Sequence, residues 1–257
     1  MFSVGFVWEL TKRDLSERFA GSILGGIWNF IWPLIHLFIY IVIFGKFMGG
    51  RLPGNSNMNA YGIYVAAGLI PWISFGNSIA RSSRIFIEKK DIISKVHVSL
   101  ISLPIFITLS ETIIYIITLS FLFLVISFTG TELDPQFLLF LPFIYLIQQI
   151  FALGLGILAG VFTVFVRDLG EVVGIILQLW FWFTPIVYIS DIIPELAQKM
   201  LKFNPAFIFI DAYHQIFVFQ EYIPVKKLLI LCLVAHAVLA LAYYCLKNLE
   251  KDVRDFL

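Results

Sequence analysis

Residues with rings recur at every fourth position along one apolar stretch near the start of the chain. Residues four apart lie on neighbouring turns of a helix, so they form one slowly winding stripe. Aromatic rings stack on the apolar faces of sugar rings, and Trp N–H and Tyr O–H groups add hydrogen bonds. We therefore predict that the stripe lines a pore, although core packing and contact with lipid are typical of the same pattern. Its members are Trp28, Trp32, His36, Tyr40 and Phe44.

A second group of polar and aromatic residues lies further along the chain, and we predict that it lines the same pore. It consists of Gln178, Trp180, Trp182 and Tyr188. Glu111 is added as a channel-lining residue because it lies in the middle of a long apolar run. A carboxylate inside a membrane is costly, so it is expected to face a helix-bundle interior or water. Pore lining, a latch between helices and a hydrogen-bonded structural acid all fit this position.

The patterns that usually accompany catalysis are missing from the sequence. It contains no GxxxxGK[ST] segment or other glycine-rich phosphate cradle, so we expect this chain not to hydrolyse ATP. No His, Cys, Asp or Glu residues have metal-ligand spacing, and no G-x-S-x-G nucleophile elbow occurs. These absences favour a transport protein over an enzyme, and we expect no metal or cofactor in this chain.

The composition indicates a membrane protein. Of the 257 residues, 60% are hydrophobic and 14% are charged, whereas a soluble domain is about 45–50% apolar and about 25% charged. This composition excludes a disordered chain, a disulfide scaffold and a nucleic-acid-binding protein. The net charge of +1 by itself points to no charged partner. Cys232 and Cys245 lie in one apolar segment and are predicted to pack as small apolar side chains.

Six apolar runs are long enough to cross a bilayer core, which needs about 20 helical residues. They occupy residues 27–47, 61–79, 100–128, 137–166, 172–189 and 228–246. The sequence therefore predicts an all-α membrane protein, with six transmembrane helices per subunit in a single domain over residues 1–257. Residues 206–219 are apolar but too short to span, so residues 190–224 are predicted to form a re-entrant hairpin between spans 5 and 6.

The charges between these runs predict the orientation. Placing both termini in the cytoplasm puts the excess of Lys and Arg on the inside and makes the hairpin external. Residues 1–22 mix apolar and charged side chains at helical spacing, which is typical of an interfacial helix or of a short solvated one. Residues 81–99 form an amphipathic cytoplasmic loop, which fits docking on a partner protein and also contact with lipid headgroups.

Short motifs in a fixed order add a family resemblance. They are Arg13-Asp14-Leu15, Arg18 to Gly25, Trp32-Pro33, Phe44-Gly45, Gly68 to Trp72, Lys95-Val96, Leu103-Pro104, Arg167-Asp168-Leu169, Thr184 to Tyr188 and Asn204-Pro205. With these motifs on a six-span layout, the chain resembles the membrane subunits of polysaccharide-exporting ABC transporters, the O-antigen and teichoic-acid permeases. The alternatives are an ABC permease for a small lipid or drug, a membrane-embedded glycan-handling enzyme and a passive channel.

The resemblance implies a homodimer bound to two copies of a separate P-loop ATPase, surrounded by lipids of the bacterial cytoplasmic (inner) membrane. The ATPase would use ATP and Mg²⁺, and a lipid-linked glycan would pass between the two halves. Residues 81–99 would form the coupling loop and residues 190–224 the external gate. The coupling residues implied are Arg84, Glu88, Lys89, Lys90, Asp91 and Lys95, with Arg13 and Asp14 in the interfacial helix. The gate residues implied are Asn204, Pro205, Asp211 and His214.

Overall fold

Helices joined by short connections make up the described part of the chain. A computed structural model describes residues 4–18, 27, 28, 31, 34, 35, 38, 39, 42, 43, 60–96, 98–190 and 193–257. The helices with defined bounds are α1 (Val4–Glu17), α2 (Ala60–Ser82), α3 (Ile85–Glu88), α4 (Lys90–Lys95), α5 (Ser102–Thr129), α6 (Pro135–Leu138), α7 (Leu141–Phe165), α8 (Leu169–Trp182), α9 (Glu195–Leu201), α10 (Pro205–His214), a π-helix (Gln215–Phe219) and α11 (Val225–Phe256). No strand occurs among the described residues, so the predicted all-α class is confirmed for them.

Among the described residues, four helical segments are long and apolar enough to cross a membrane. They are α2, α5, the combined segment Pro135–Phe165 and α11. These segments coincide with the predicted spans at residues 61–79, 100–128, 137–166 and 228–246. The predicted first span, residues 27–47, lies mostly outside the described residues, and the described positions within it are helical.

The helix at the predicted fifth span ends earlier than expected. Helix α8 has 14 residues and stops at Trp182, whereas the prediction extended to residue 189. At 1.5 Å per residue it is about 21 Å long, less than the bilayer core of about 30 Å. Pro185 lacks the N–H that a continuing helix needs and disfavours helical geometry at Thr184. The Asn204 side chain donates to the Phe183 carbonyl oxygen at 3.2 Å, so the carbonyl group that follows the last helical residue is paired within the chain.

Residues 190–224, predicted to form a hairpin, contain α9, α10 and the π-helix. The Asn204 side chain caps α10 by accepting a hydrogen bond from the Ala206 nitrogen at 3.0 Å. Helix α10 packs against α2, α7 and α11. Its Phe209 and Tyr213 side chains are fully buried. Helix α10 is therefore part of the core of the bundle.

Helix α7 lies at the centre of the bundle, and its glycines let neighbouring helices approach closely. It packs against α2 and α11. A Cβ atom built on Gly154 would lie 2.9 Å from the backbone nitrogen of Leu239 in α11. A Cβ atom on Gly160 would lie 2.7 Å from the carbonyl oxygen of Ser82 in α2. Small residues at such positions are what allow helix backbones to meet in lipid.

We predict that Gly160→Ala destabilises the protein, because the added methyl group meets a backbone oxygen that cannot rotate away. Overpacking of this kind costs about 1–3 kcal/mol, and thermal unfolding in detergent measures it as a lower melting temperature. Gly174→Ala in α8 is the matched control, since no described atom lies within 4 Å of that Cβ position. Equal melting temperatures for the two variants would contradict the close packing of α7 on α2.

Candidate functional site

Residues 81–99, the predicted coupling loop, are held against the bundle by their own apolar side chains. Ile85 and Phe86 of α3 are buried where this helix packs on α5 and α7. Ile93 of α4 joins the same hydrophobic cluster. The sequence suggested a partner protein or lipid headgroups as the surface for such residues, but these three contact the chain's own bundle. The outward positions are charged: Glu88, Lys90, Asp91 and Lys95 are exposed, whereas Arg84 and Lys89 are half-buried.

The predicted coupling residue Arg84 is used within the chain. Its Nη2 atom donates to the carbonyl oxygen of Gly170 at 3.0 Å and lies 3.1 Å from the Glu171 carboxylate. Both of these residues belong to the first turn of α8. Arg84 thereby ties residues 81–99 to the start of α8.

Helix α1, the predicted interfacial helix, has one face packed on the bundle and another exposed. Val7 and Leu10 are buried where α1 packs on α5. The two predicted coupling residues of α1 point in different directions. Arg13 is exposed and pairs with Glu17 of the same helix at 2.6 Å. Asp14 turns inward, with 14% of its side chain exposed.

Four charged side chains from three parts of the bundle converge beside α1, and we call them the ionic cluster. They are Asp14 and Arg18 at the end of α1, Arg81 in the last turn of α2, and Glu111 in α5. Glu111 has 1% of its side chain exposed and accepts hydrogen bonds from Arg18, from Arg81 at 2.8 Å and from Asn77 at 3.2 Å. Both arginines also donate to Asp14. Two positive charges thus compensate two carboxylates, so Glu111 is not buried as an isolated charge.

Sequence reasoning named Glu111 and Asp14 but missed the arginines that hold them. The contacts of Glu111 in the chain correspond to the latch between helices, one of its predicted roles, while its channel-lining role stays a prediction. A signal for the cation was present, because a buried carboxylate requires one and Arg81 is the first cation after the second apolar run. Asn77 and Arg81 are also four residues apart, which places them on one face of α2.

At the other end of the bundle, several predicted channel and gate residues line one aromatic cleft of about 680 Å³. The lining includes Trp180, Trp182, Phe183, Tyr188, Met200, Phe203, Asn204 and Pro205. The Trp180 indole N–H donates to the Asn204 side-chain oxygen at 2.7 Å. The Tyr188 hydroxyl donates to the Trp182 carbonyl oxygen at 2.9 Å. The first bond joins the end of α8 to the start of α10, the second ties the segment after α8 back to its last residue, and the Trp182 ring stays largely exposed.

The four predicted gate residues do not form one cluster. Asn204 and Pro205 line the aromatic cleft, whereas Asp211 is half-buried in α10. His214 is buried in the core, and its ring stacks on Tyr64 of α2 at a centroid distance of 3.7 Å. The stacking of His214 therefore fixes α10 to α2 away from the cleft.

The remaining predicted channel residues that the structure describes are absent from the lining of the aromatic cleft. Gln178 is exposed on α8 and does not line it. Trp28 is half-buried. Trp32, His36, Tyr40 and Phe44 lie outside the described residues. The pore-lining role of this first stripe stays a prediction.

The similarity to known proteins extends over most of the chain and includes both ends of the bundle. Residues 6–218, from α1 to the π-helix, match the model of a family described as ABC-2 type transporter. The chain is 29% identical to the O-antigen export system permease protein RfbA of Myxococcus xanthus over 215 residues, which are 83% of this chain and 80% of the relative. Identity is 28% over 220 residues with the protein of the same name from Klebsiella pneumoniae, covering 84% and 83%. Identity is 26% over 196 residues with the polysialic acid transport protein KpsM of Escherichia coli, covering 76% and 74%.

We predict that Asn204→Ala weakens the connection between α8 and α10. The change removes the cap of α10, worth about 0.5–2 kcal/mol, together with the bonds to Trp180 and Phe183, worth about 1 kcal/mol each. Thermal unfolding of the purified protein is the measurement. Asp134→Ala is the matched control, because Asp134 caps α6 through a single exposed bond to the Gln136 nitrogen. A smaller loss in Asn204→Ala than in Asp134→Ala would refute the bridging role of Asn204.

Proposed function

This chain belongs to the ABC-2 type transporter family, and we propose that it is the membrane permease of an ATP-driven exporter of a lipid-linked polysaccharide. The names of the relatives, for O-antigen export and polysialic acid transport, support this substrate class. The permease would move an O-antigen-like or teichoic-acid-like chain across the bacterial cytoplasmic membrane. ATP hydrolysis would take place in a separate P-loop ATPase, present in two copies.

The observation that carries this proposal is the anchoring of residues 81–99. Their exposed charges lie on two short helices whose apolar side chains are buried in the bundle. A loosely attached loop would move on its own when a bound ATPase changes conformation, and the bundle would not follow. An anchored loop transmits the movement to α5 and α7 through Phe86, and to α8 through Arg84. This is what a transport subunit driven by another protein requires.

We place α1, residues 81–99 and the end of α11 together on the cytoplasmic side. Arg254 in the last turn of α11 donates to the Val98 carbonyl oxygen at 2.6 Å. Val7 of α1, Ile93 and Val253 belong to one hydrophobic cluster, so these segments share one end of the bundle. Residues 27–47 and α8 would complete six crossings, with residues 190–224 as an external re-entrant hairpin. Since α8 is short, the segment from Phe183 to Tyr188 would complete its crossing and open into the aromatic cleft.

The outer face of α8 supports a homodimer with the glycan path between its halves. Exposed apolar residues follow the spacing of one helix face. They are Val172, Ile175, Ile176, Leu179, Trp182 and Phe183. In this arrangement α8 of each copy would face the other copy, and the aromatic cleft would border the path.

The aromatic cleft suits a sliding sugar polymer because stacking does not depend on the exact sugar sequence. An exposed indole such as that of Trp182 offers its face to the apolar side of a ring. Several weak contacts of this kind let a chain advance without being trapped at one site.

We predict that Trp182→Ala lowers polysaccharide export. A lost stacking contact is worth about 0.5–1.5 kcal/mol, which corresponds to a reduction of about two- to tenfold in the amount of surface polysaccharide. Trp182→Phe should keep most of the activity, since it retains a ring. Phe143→Ala in α7 is the control, because this exposed side chain lies outside the cleft. If the Trp182→Ala variant exported as much polysaccharide as the wild type, the aromatic cleft would not lie on the glycan path.

We predict that the double variant Glu88→Lys/Asp91→Lys reduces recovery of the ATPase with the permease. Both carboxylates are exposed on the anchored loop, so reversing them changes the partner-facing charge without disturbing buried groups. Co-purification in mild detergent and ATP hydrolysis by the recovered complex are the measurements. Glu195→Lys/Glu221→Lys is the matched control, with two exposed carboxylates reversed near the opposite end. Equal ATPase recovery with both double variants would count against the loop as the docking surface.

A further inference from the structure

The ionic cluster connects α1, α2 and α5. Arg81 uses two different nitrogen atoms: Nη1 donates to Glu111 at 2.8 Å and Nη2 donates to Asp14. Arg18 repeats this bridge, with Nε 3.3 Å from Asp14 and Nη2 donating to Glu111. Each arginine therefore joins the same two carboxylates. The planar guanidinium group has the several fixed donors that such a double contact needs.

The position of the ionic cluster separates it from the other charges of α1. Glu111 has 1% of its side chain exposed, while Arg18 and Arg81 have 20% and 30%. The remaining ion pairs of α1 are exposed ones within the helix, such as Lys12 with Glu9 at 2.6 Å. Exposed pairs of that kind contribute little to holding an element in place. The ionic cluster is therefore the polar connection between α1 and the bundle in the described part of the chain.

Polar side chains continue from the ionic cluster into the bundle. Asn77 of α2 donates to Glu111 at 3.2 Å. One turn away along α2, Ser74 bonds the Tyr145 hydroxyl of α7 at 2.9 Å, and Tyr145 donates to Thr112 of α5 at 3.1 Å. The cluster thus lies at the edge of a buried hydrogen-bond network that links α2, α5 and α7. Buried networks of this kind hold their members in one relative arrangement.

We propose that the ionic cluster is the joint that passes movement of α1 to α2 and α5 during transport, with Arg18 and Arg81 as positioning residues. This inference rests on the proposed function, because an ATPase partner would supply the movement of α1. The residues act on transport through helix placement, without touching nucleotide or glycan. Loss of the joint uncouples ATP hydrolysis from transport: the ATPase still turns over, but less glycan is transported for each ATP.

Arg81→Lys tests the geometry and keeps the charge. A lysine ammonium is a single point of contact and does not reproduce two separate donations from one planar group. Arg18→Lys is the corresponding second variant, since Arg18 joins the same two carboxylates. Lys12→Gln is the matched control, because it removes an exposed ion pair from the same helix. The double variant Arg18→Lys/Arg81→Lys tests whether both arginines serve one joint.

The experiment uses the full exporter, permease with its ATPase, in sealed membrane vesicles carrying the lipid-linked glycan. Glycan transported and ATP hydrolysed are measured on the same preparation, and their ratio is the readout. We expect Arg81→Lys to lower this ratio by about fivefold or more, the size usual for coupling between separated sites. Lys12→Gln should leave the ratio unchanged. The double variant should lose little beyond Arg81→Lys, because residues of one joint are not additive.

Two results would overturn the inference. One is an unchanged ratio of glycan to ATP in Arg81→Lys. The other is a proportional fall of transport and hydrolysis together with lost complex, which would mean that the ionic cluster serves folding alone. A wild-type complex that hydrolyses ATP but moves no glycan would instead refute the proposed function, so the two failures are distinct.

Discussion

The pairing of a buried carboxylate with two guanidinium groups governs one whole end of this bundle. Glu111 is the single charged residue of the apolar helix α5, where an uncompensated charge costs several kcal/mol. Its compensation comes from Arg81 in α2 and Arg18 beside α1, so three elements must meet at one point. The same arginines hold Asp14, which sets the orientation of α1 about its axis. The buried face of α1 and the exposure of Arg13 follow from that orientation.

Close backbone packing complements this polar joint. The glycines of α7 let Ser82 at the end of α2 come within contact distance, and this brings Phe86 of the following loop into the bundle. If α7 carried larger side chains there, α2 would be displaced outward and Arg81 would move with it. The ionic cluster and the anchored loop therefore depend on the same close approach. Electrostatic and steric requirements agree at this end of the molecule.

The sequence predicted the features that depend on single residues or on runs of apolar residues. Apolar runs located four spans because lipid demands long apolar helices, and Glu111 stood out because its surroundings are apolar. The partners of Glu111 were missed because Arg81 and Arg18 lie 30 and 93 residues away along the chain. The early end of α8 was missed because the Phe183 carbonyl oxygen just beyond it is satisfied by Asn204, the cap of α10. Such pairings depend on the packed bundle, which the pattern of residues along one helix does not contain.

Helix α2 connects the two parts of the candidate site, the ionic cluster and the aromatic cleft. Arg81 at its last turn belongs to the ionic cluster, while Tyr61 in its first turn donates to the Val187 carbonyl oxygen at 2.8 Å, close to the aromatic cleft. Tyr64 donates to the Tyr188 carbonyl oxygen at 3.1 Å and stacks on His214 of α10. A rotation or shift of α2 at the ionic cluster must therefore be accommodated in the segment that borders the cleft. Because these contacts are made to backbone oxygen atoms after α8, the irregular stretch beyond Trp182 is the part of the chain best placed to respond to α2.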